Sequence, residues 1–73
     1  MAKKGGGTVY RVTEVIGTSG SSWEDAARNA VATASGTLRD LRIAEIEKLD
    51  VKIEDGKVTQ FRARLALSFK YEA

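Results

Sequence analysis

From Thr59 to Tyr71 the residues alternate: Phe61, Ala63, Leu65, Leu67, Phe69 and Tyr71 in one phase, Arg62, Arg64, Ala66, Ser68 and Lys70 in the other. A period of two sustained over this length marks a long β-strand with one apolar face. That face needs cover, and the rest of this 73-residue chain offers one stretch of helical periodicity to supply it. The demand exceeds the supply, so further copies of the same chain are the natural source of the missing cover.

Composition narrows the alternatives. A core of this size rarely contributes more than roughly 3–5 kcal/mol unaided, and small folds add disulfides, metals or self-association. The chain has no cysteine and no histidine, which removes disulfides and the usual zinc and thiol chemistry. Self-association remains, or an ion held by carboxylates, such as calcium. Twelve basic and ten acidic residues are interspersed and leave a net charge of only +2, without the basic stripe of a nucleic-acid binder. No apolar run approaches the roughly 18 residues of a membrane span, and no signal-peptide pattern is present. The chain reads as soluble and cytoplasmic, with no membrane or nucleic-acid partner.

Residues 1–7, Met1-Ala2-Lys3-Lys4-Gly5-Gly6-Gly7, read as a flexible leader in which Lys3 and Lys4 form a solubilising tip. Residues 8–73 read as a single domain. Thr8 to Ile16 is rich in β-branched and aromatic residues and predicts the first strand. Gly17 to Ser22 predicts a loop that ends in a helix cap, with Ser21 and Glu24 at capping-box spacing and Asp25 favourably placed at the helix dipole. The helix is expected from about Ser22 to Arg39, with Trp23, Ala27, Ala30, Val31, Ala34, Leu38 and Leu41 as its apolar stripe. Alanine dominates that stripe, so the helix can lie close to a sheet. Gly36 weakens its last turn by about 1 kcal/mol.

Arg42 to Glu54 predicts the second strand, with a broken alternation. Ala44 and Ile46 are in one phase, Leu49, Val51 and Ile53 in the other. A bulge near Glu47-Lys48 would reconcile them; a strand passing into a neighbour's sheet is the alternative. Asp55-Gly56 is suited to a type I′ hairpin turn. The expected fold class is α+β, in the order β-α-β-β, with one helix on a three-stranded antiparallel sheet.

From Thr8 to Glu72 the chain resembles the dodecins. The resemblance rests on the opening Tyr10-Arg11-Val12-Thr13-Glu14-Val15-Ile16-Gly17-Thr18-Ser19, the alanine-rich helix and its Thr37-Leu38-Arg39-Asp40-Leu41 exit. It continues through the Asp55-Gly56 hairpin to the closing Leu67-Ser68-Phe69-Lys70-Tyr71-Glu72. The order and spacing of these segments carry the likeness; no one of them is specific alone. The resemblance implies a hollow homododecamer of β-α-β-β protomers that binds flavins in pairs across a two-fold contact and stores or buffers them. It also implies a tryptophan early in the second strand, stacked on the flavin ring, and a glutamine in the third strand, bonded to its polar edge. Here those positions hold Ile43 and Arg62. Isoleucine has no π-face, and arginine has donors only, though it can stack on a ring or hold a phosphate. The Ser-Trp-Glu helix start, together with the aliphatic Ile43, resembles the flavin-poor branch called calcium dodecins.

The expected ligand-binding residues are therefore Ile43, Glu45 and Arg62, near a two-fold axis, for a small aromatic or anionic ligand. Flavin (FMN or riboflavin) is expected to bind weakly or not at all. The bland reading of the same residues is a protein–protein contact, with Arg62 paired to an acid such as Glu45. Trp23, the only tryptophan, is expected to anchor the core or an interface. Glu47 and Asp50 are the metal candidates among the acids Glu45, Glu47, Asp50, Glu54 and Asp55, although no EF-hand spacing is present. The glycine- and serine-rich loop before the helix lacks the lysine of a phosphate-binding loop. With no histidine or cysteine and no partnered serine, catalysis is not expected. The alternatives are a calcium-stabilised shell with no organic ligand, or an enzyme or regulatory subunit built on the same scaffold.

Overall fold

The computed structural model describes residues 9–70. They form β1 (Tyr10–Ser19), α1 (Trp23–Ser35), β2 (Leu41–Glu54) and β3 (Lys57–Lys70). The strands make one antiparallel sheet in the order β1-β3-β2, and α1 packs on one side of it. The expected β-α-β-β order and α+β class are what the chain adopts. The leader, Thr8 and Tyr71 lie outside the described residues.

The helix cap is Ser22, not Ser21. Ser22 is extended (φ −164°, ψ 163°), and its Oγ accepts from the Asp25 N–H at 3.0 Å. Ser21 is used one step earlier, its N–H donating to Ser19 Oγ at 2.9 Å. The Ser19 hydroxyl in turn donates to the Asp25 carboxylate at 2.8 Å. The acid of the first turn therefore ties down the end of β1. The helix also ends earlier than expected, at Ser35 with Gly36 as its cap. The Thr37 and Leu38 N–H groups close the end on the Ala34 carbonyl at 3.0 and 2.8 Å, where glycine makes further helix costly.

The buried face of α1 is Ala26, Ala30 and Ala34, packed on Ala63, Leu65 and Leu67 of β3. Ala26 is absent from the predicted stripe; Ala27, Val31 and Leu38 only flank this core, and Leu41 begins β2. The predicted end of β1 at Ile16 is also too early. Gly17, Thr18 and Ser19 continue the ladder opposite Ala63, Arg62 and Phe61. Gly17 is there because of the helix and not because of a turn. A Cβ at this position would run into the Ala26 carbonyl oxygen and stand 2.8 Å from the Ala30 Cβ.

β2 carries the irregularities that decide which residues face where. The expected bulge is present as a register shift between Ile46 and Lys48, and a second shift lies between Leu41 and Ile43. The second shift leaves no mark in the sequence, because Arg42 interrupts no long alternation. Together the shifts place Leu41, Ala44, Ile46, Leu49 and Val51 opposite Phe69, Leu67, Leu65, Ala63 and Phe61, on the helix side. Leu49 and Val51 of the second phase thus reach the face of Ala44 and Ile46, while a third shift, between Lys52 and Ile53, sets Ile53 opposite Val58 in the other phase. At the tip, Asp55 (φ 52°) and Gly56 (φ 74°) both take the left-handed conformation of the expected type I′ turn.

Length explains the shortage of cover. The 13 residues of α1 span about 20 Å, whereas the 14 residues of β2 or β3 reach about 46 Å. The molecule measures 58 × 21 × 15 Å, and its hairpin runs on beyond the helix. Leu49, Ile53 and Val58 on that arm are exposed. Trp23 braces the point where helix and arm part. Its ring meets Phe61 edge-on at 5.2 Å, and its Nε1–H donates to the Asp50 carbonyl at 3.0 Å. Trp23 remains 39 % exposed.

Candidate functional site

Among the described residues, no element covers the side of the sheet away from α1. By register it presents Tyr10, Val12, Glu14, Ile16 and Thr18 from β1, and Arg62, Arg64, Ala66, Ser68 and Lys70 from β3. From β2 it presents Ile43, Glu45, Lys48, Asp50 and Lys52. The Arg42 shift turns Ile43 onto this face, where it pairs with Ser68 and is 65 % exposed. Glu45 stands beside it, opposite Ala66. Ile43, Glu45 and Arg62 therefore share a face, as a common pocket requires.

They do not share a place on it. Arg62 lies opposite Asp50, six β3 residues from the Ser68 partner of Ile43, which is about 20 Å along the strand. One copy brings Ile43 and Glu45 together but leaves Arg62 at the far end. Nor is Glu45 the acid that Arg62 meets. Its Nε donates to Asp50 Oδ1 at 2.7 Å and its Nη2 to Oδ2 at 3.4 Å, a two-pronged pair set by their direct opposition in the ladder. The bonds from Arg62 hold the Asp50 carboxyl below the usual carboxylate range and raise Arg62 above its ordinary value. Asp50, one of the metal candidates, is thereby committed to a cation.

Glu47, the other, is at the bulge. Its carboxyl meets that of Glu14 from β1, across β3. The hydrogen bond with Glu14 first, then desolvation, then the charges of Glu14 and Glu45, hold Glu47 above the usual range; Arg64 opposes them. A carboxyl whose folded pKa is raised adds stability at pH below its unfolded value and loses that contribution as pH rises through the raised one. Glu47→Gln is therefore expected to raise the melting temperature slightly at pH near 7 and to leave it unchanged near pH 4, below the ordinary glutamate range, where the raised Glu47 carboxyl holds its proton. Thermal scans at the two pH values check this, and an equal gain at both would show that the like charges are not the cause. Among the described residues of one chain, no three carboxylates converge on a metal position.

Ile43 supplies apolar area without a π-face. Arg62 supplies donors only, two of them already taken by Asp50.

Residues 9–72 match the family model described as Dodecin. Calcium dodecin of Mycobacterium tuberculosis is 42% identical over 64 residues, covering 86% of this chain and 89% of that protein. The solved structure of dodecin from Streptomyces coelicolor superposes with a TM-score of 0.85 at 45% identity, over 90% of this chain and 94% of that one. The crystal structure of the Mycobacterium tuberculosis calcium dodecin, described as calcium-chelating with a novel calcium-binding site, superposes with a TM-score of 0.79 at 39% identity, over 89% and 93% of the two chains.

Proposed function

The chain belongs to the dodecin family, and on that premise we propose that it binds, stores or buffers a small ligand as a hollow homododecamer and makes no bonds itself. The observation that carries this reading is the uncovered sheet face, on which Tyr10, Val12, Ile16 and Ile43 stand exposed beside charged neighbours. A lone copy would leave this apolar surface in water at a cost of roughly 25 cal/mol per Å². A two-fold contact between such faces covers it. Run antiparallel, such a contact also sets Ile43 and Glu45 of one copy near Arg62 of the next, which removes the 20 Å separation within a single chain. The pocket is thus a property of the seam.

Flavin binding is weak or lost, because neither ring stacking nor edge pairing is available from Ile43 and Arg62. Titration of riboflavin with the purified protein should leave its fluorescence nearly unquenched, while light scattering should give the mass of twelve 7.9 kDa chains. Stoichiometric quenching would refute the argument from Ile43 and Arg62, and a monomer would remove the seam.

A second reading is favoured by the gathering of Glu14, Glu45 and Glu47 on the same face and by the calcium-chelating relative. In it, calcium between copies stabilises the shell and there is no organic ligand. Carboxylates from two copies would have to combine, since those of one do not suffice. Melting in calcium should then exceed melting in a chelator by several degrees, and identical curves would rule this reading out.

A further inference from the structure

Arg62 does not reach the uncovered face as an unmatched cation. Asp50 opposes it directly, β2 against β3, and accepts from its Nε and Nη2 at 2.7 and 3.4 Å. The backbone on both sides of the pair is held by one side chain. The Asp50 carbonyl accepts from Trp23 Nε1–H at 3.0 Å, and the same indole meets Phe61, the residue before Arg62, edge-on at 5.2 Å. An ion pair on a surface usually contributes little, because two long side chains must be ordered to make it. Here the ladder and the indole fix Asp50, which is short, and the fork is gripped at two points. Neighbouring cations do not take Asp50 away. Lys52 pairs with Glu54 at 3.4 Å. Lys48 and Arg64 are opposed in the ladder and stand with the acids Glu14, Glu45 and Glu47, so that Arg64 acts on Asp50 through its charge alone.

We infer that Asp50 sets the ligand class of the seam pocket: the pocket takes an uncharged molecule that carries both a hydrogen-bond acceptor and a donor, and disfavours the anionic counterpart. This rests on the proposed seam, where Ile43 and Glu45 of one copy stand near Arg62 of the next. There the remaining N–H groups of Arg62 donate to the acceptor, the Glu45 carboxylate takes the donor, and Ile43 covers the apolar part. An anion would meet a guanidinium whose charge Asp50 already offsets, with the Glu45 carboxylate beside it. Two like charges against one opposite charge, in a site partly closed to water, weigh against a further negative group.

The test uses two probes of one shape, naphthalene-2-carboxamide and naphthalene-2-carboxylate, in equilibrium dialysis against the full-length protein at pH near 7 and low ionic strength. The native chain should hold the carboxamide about tenfold more tightly than the carboxylate. Asp50→Asn keeps the size and one acceptor but removes the charge. It should tighten the carboxylate about tenfold and leave the carboxamide within about twofold. Asp55→Asn, at the hairpin tip, removes a carboxylate remote from the pair, and asparagine tolerates the left-handed backbone there; both affinities should stay as they are. Equal affinities in the native chain, a ratio that Asp50→Asn does not shift, or one that Asp55→Asn shifts as much, would overturn the inference and leave the pocket standing. Binding of neither probe would overturn it together with the seam pocket. A gain of carboxylate affinity in Asp50→Asn cannot come from a misfolded chain.

Discussion

Gly17→Ala is expected to loosen the helix from the sheet and lower stability by about 3 kcal/mol or more, at or above the upper end for overpacking a core. The added methyl would meet the Ala26 carbonyl oxygen and the Ala30 Cβ. Neither can retreat. Ala26 is fully buried, its carbonyl belongs to the helix ladder, and Ala30 is held on β3 by the same packing. The helix would have to move out as a body and uncover Leu65 and Leu67, both 1 % exposed in the native chain. For a domain of this size each 1 kcal/mol shifts melting by about 4–8 °C, so a fall of more than about 10 °C is expected at equal protein concentration. Gly20→Ala is the control: nothing lies within 4 Å of its added methyl, and its melting should stay near that of the native chain. A Gly17→Ala protein that melts normally would show that the helix does not sit this close.

The second large effect concerns the ligand. The double variant Ile43→Trp with Arg62→Gln is expected to bind riboflavin about ten- to a hundredfold more tightly than the native chain. Ring stacking is worth about 0.5–1.5 kcal/mol beyond area burial, and a neutral amide hydrogen bond contributes about 1 kcal/mol. The sum corresponds to that range of affinity. Position 43 is exposed and faces away from the helix, so a larger ring there does not strain the core of the protomer. The Arg62–Asp50 pair given up is solvent-exposed and of little weight for stability. Ile43→Trp alone should recover part of the gain. A folded, assembled double variant that still fails to quench riboflavin would show that these positions do not line the pocket.

The elements and their order were legible from local pattern. The alternation around Leu65 and Leu67 marks β3, Asp55-Gly56 marks the hairpin, and the phase break between Ile46 and Leu49 marks a bulge; each signal lies within a few neighbouring residues. What depends on contact between distant residues was not legible. Gly17 reads locally as a loop residue, yet it is a strand residue emptied of side chain so that α1 can approach. Ala26 matches no strong hydrophobic signal, yet it is the most buried residue of the helix. The Arg42 shift leaves no trace in the pattern of apolar residues, yet it determines the side on which Ile43 appears. The Arg62–Asp50 pair follows from strand register, which the bulges set.

By itself, then, the sequence determined which segments extend, which one coils, and that a single short helix leaves apolar surface unspent, because side-chain periodicity and turn preference act over a few residues. Only the tertiary structure decided which face each β2 residue occupies and that Ile43 and Arg62 stand at opposite ends of one sheet. Those outcomes depend on register and on the closeness of helix to sheet, and both are settled by packing among residues far apart in the chain.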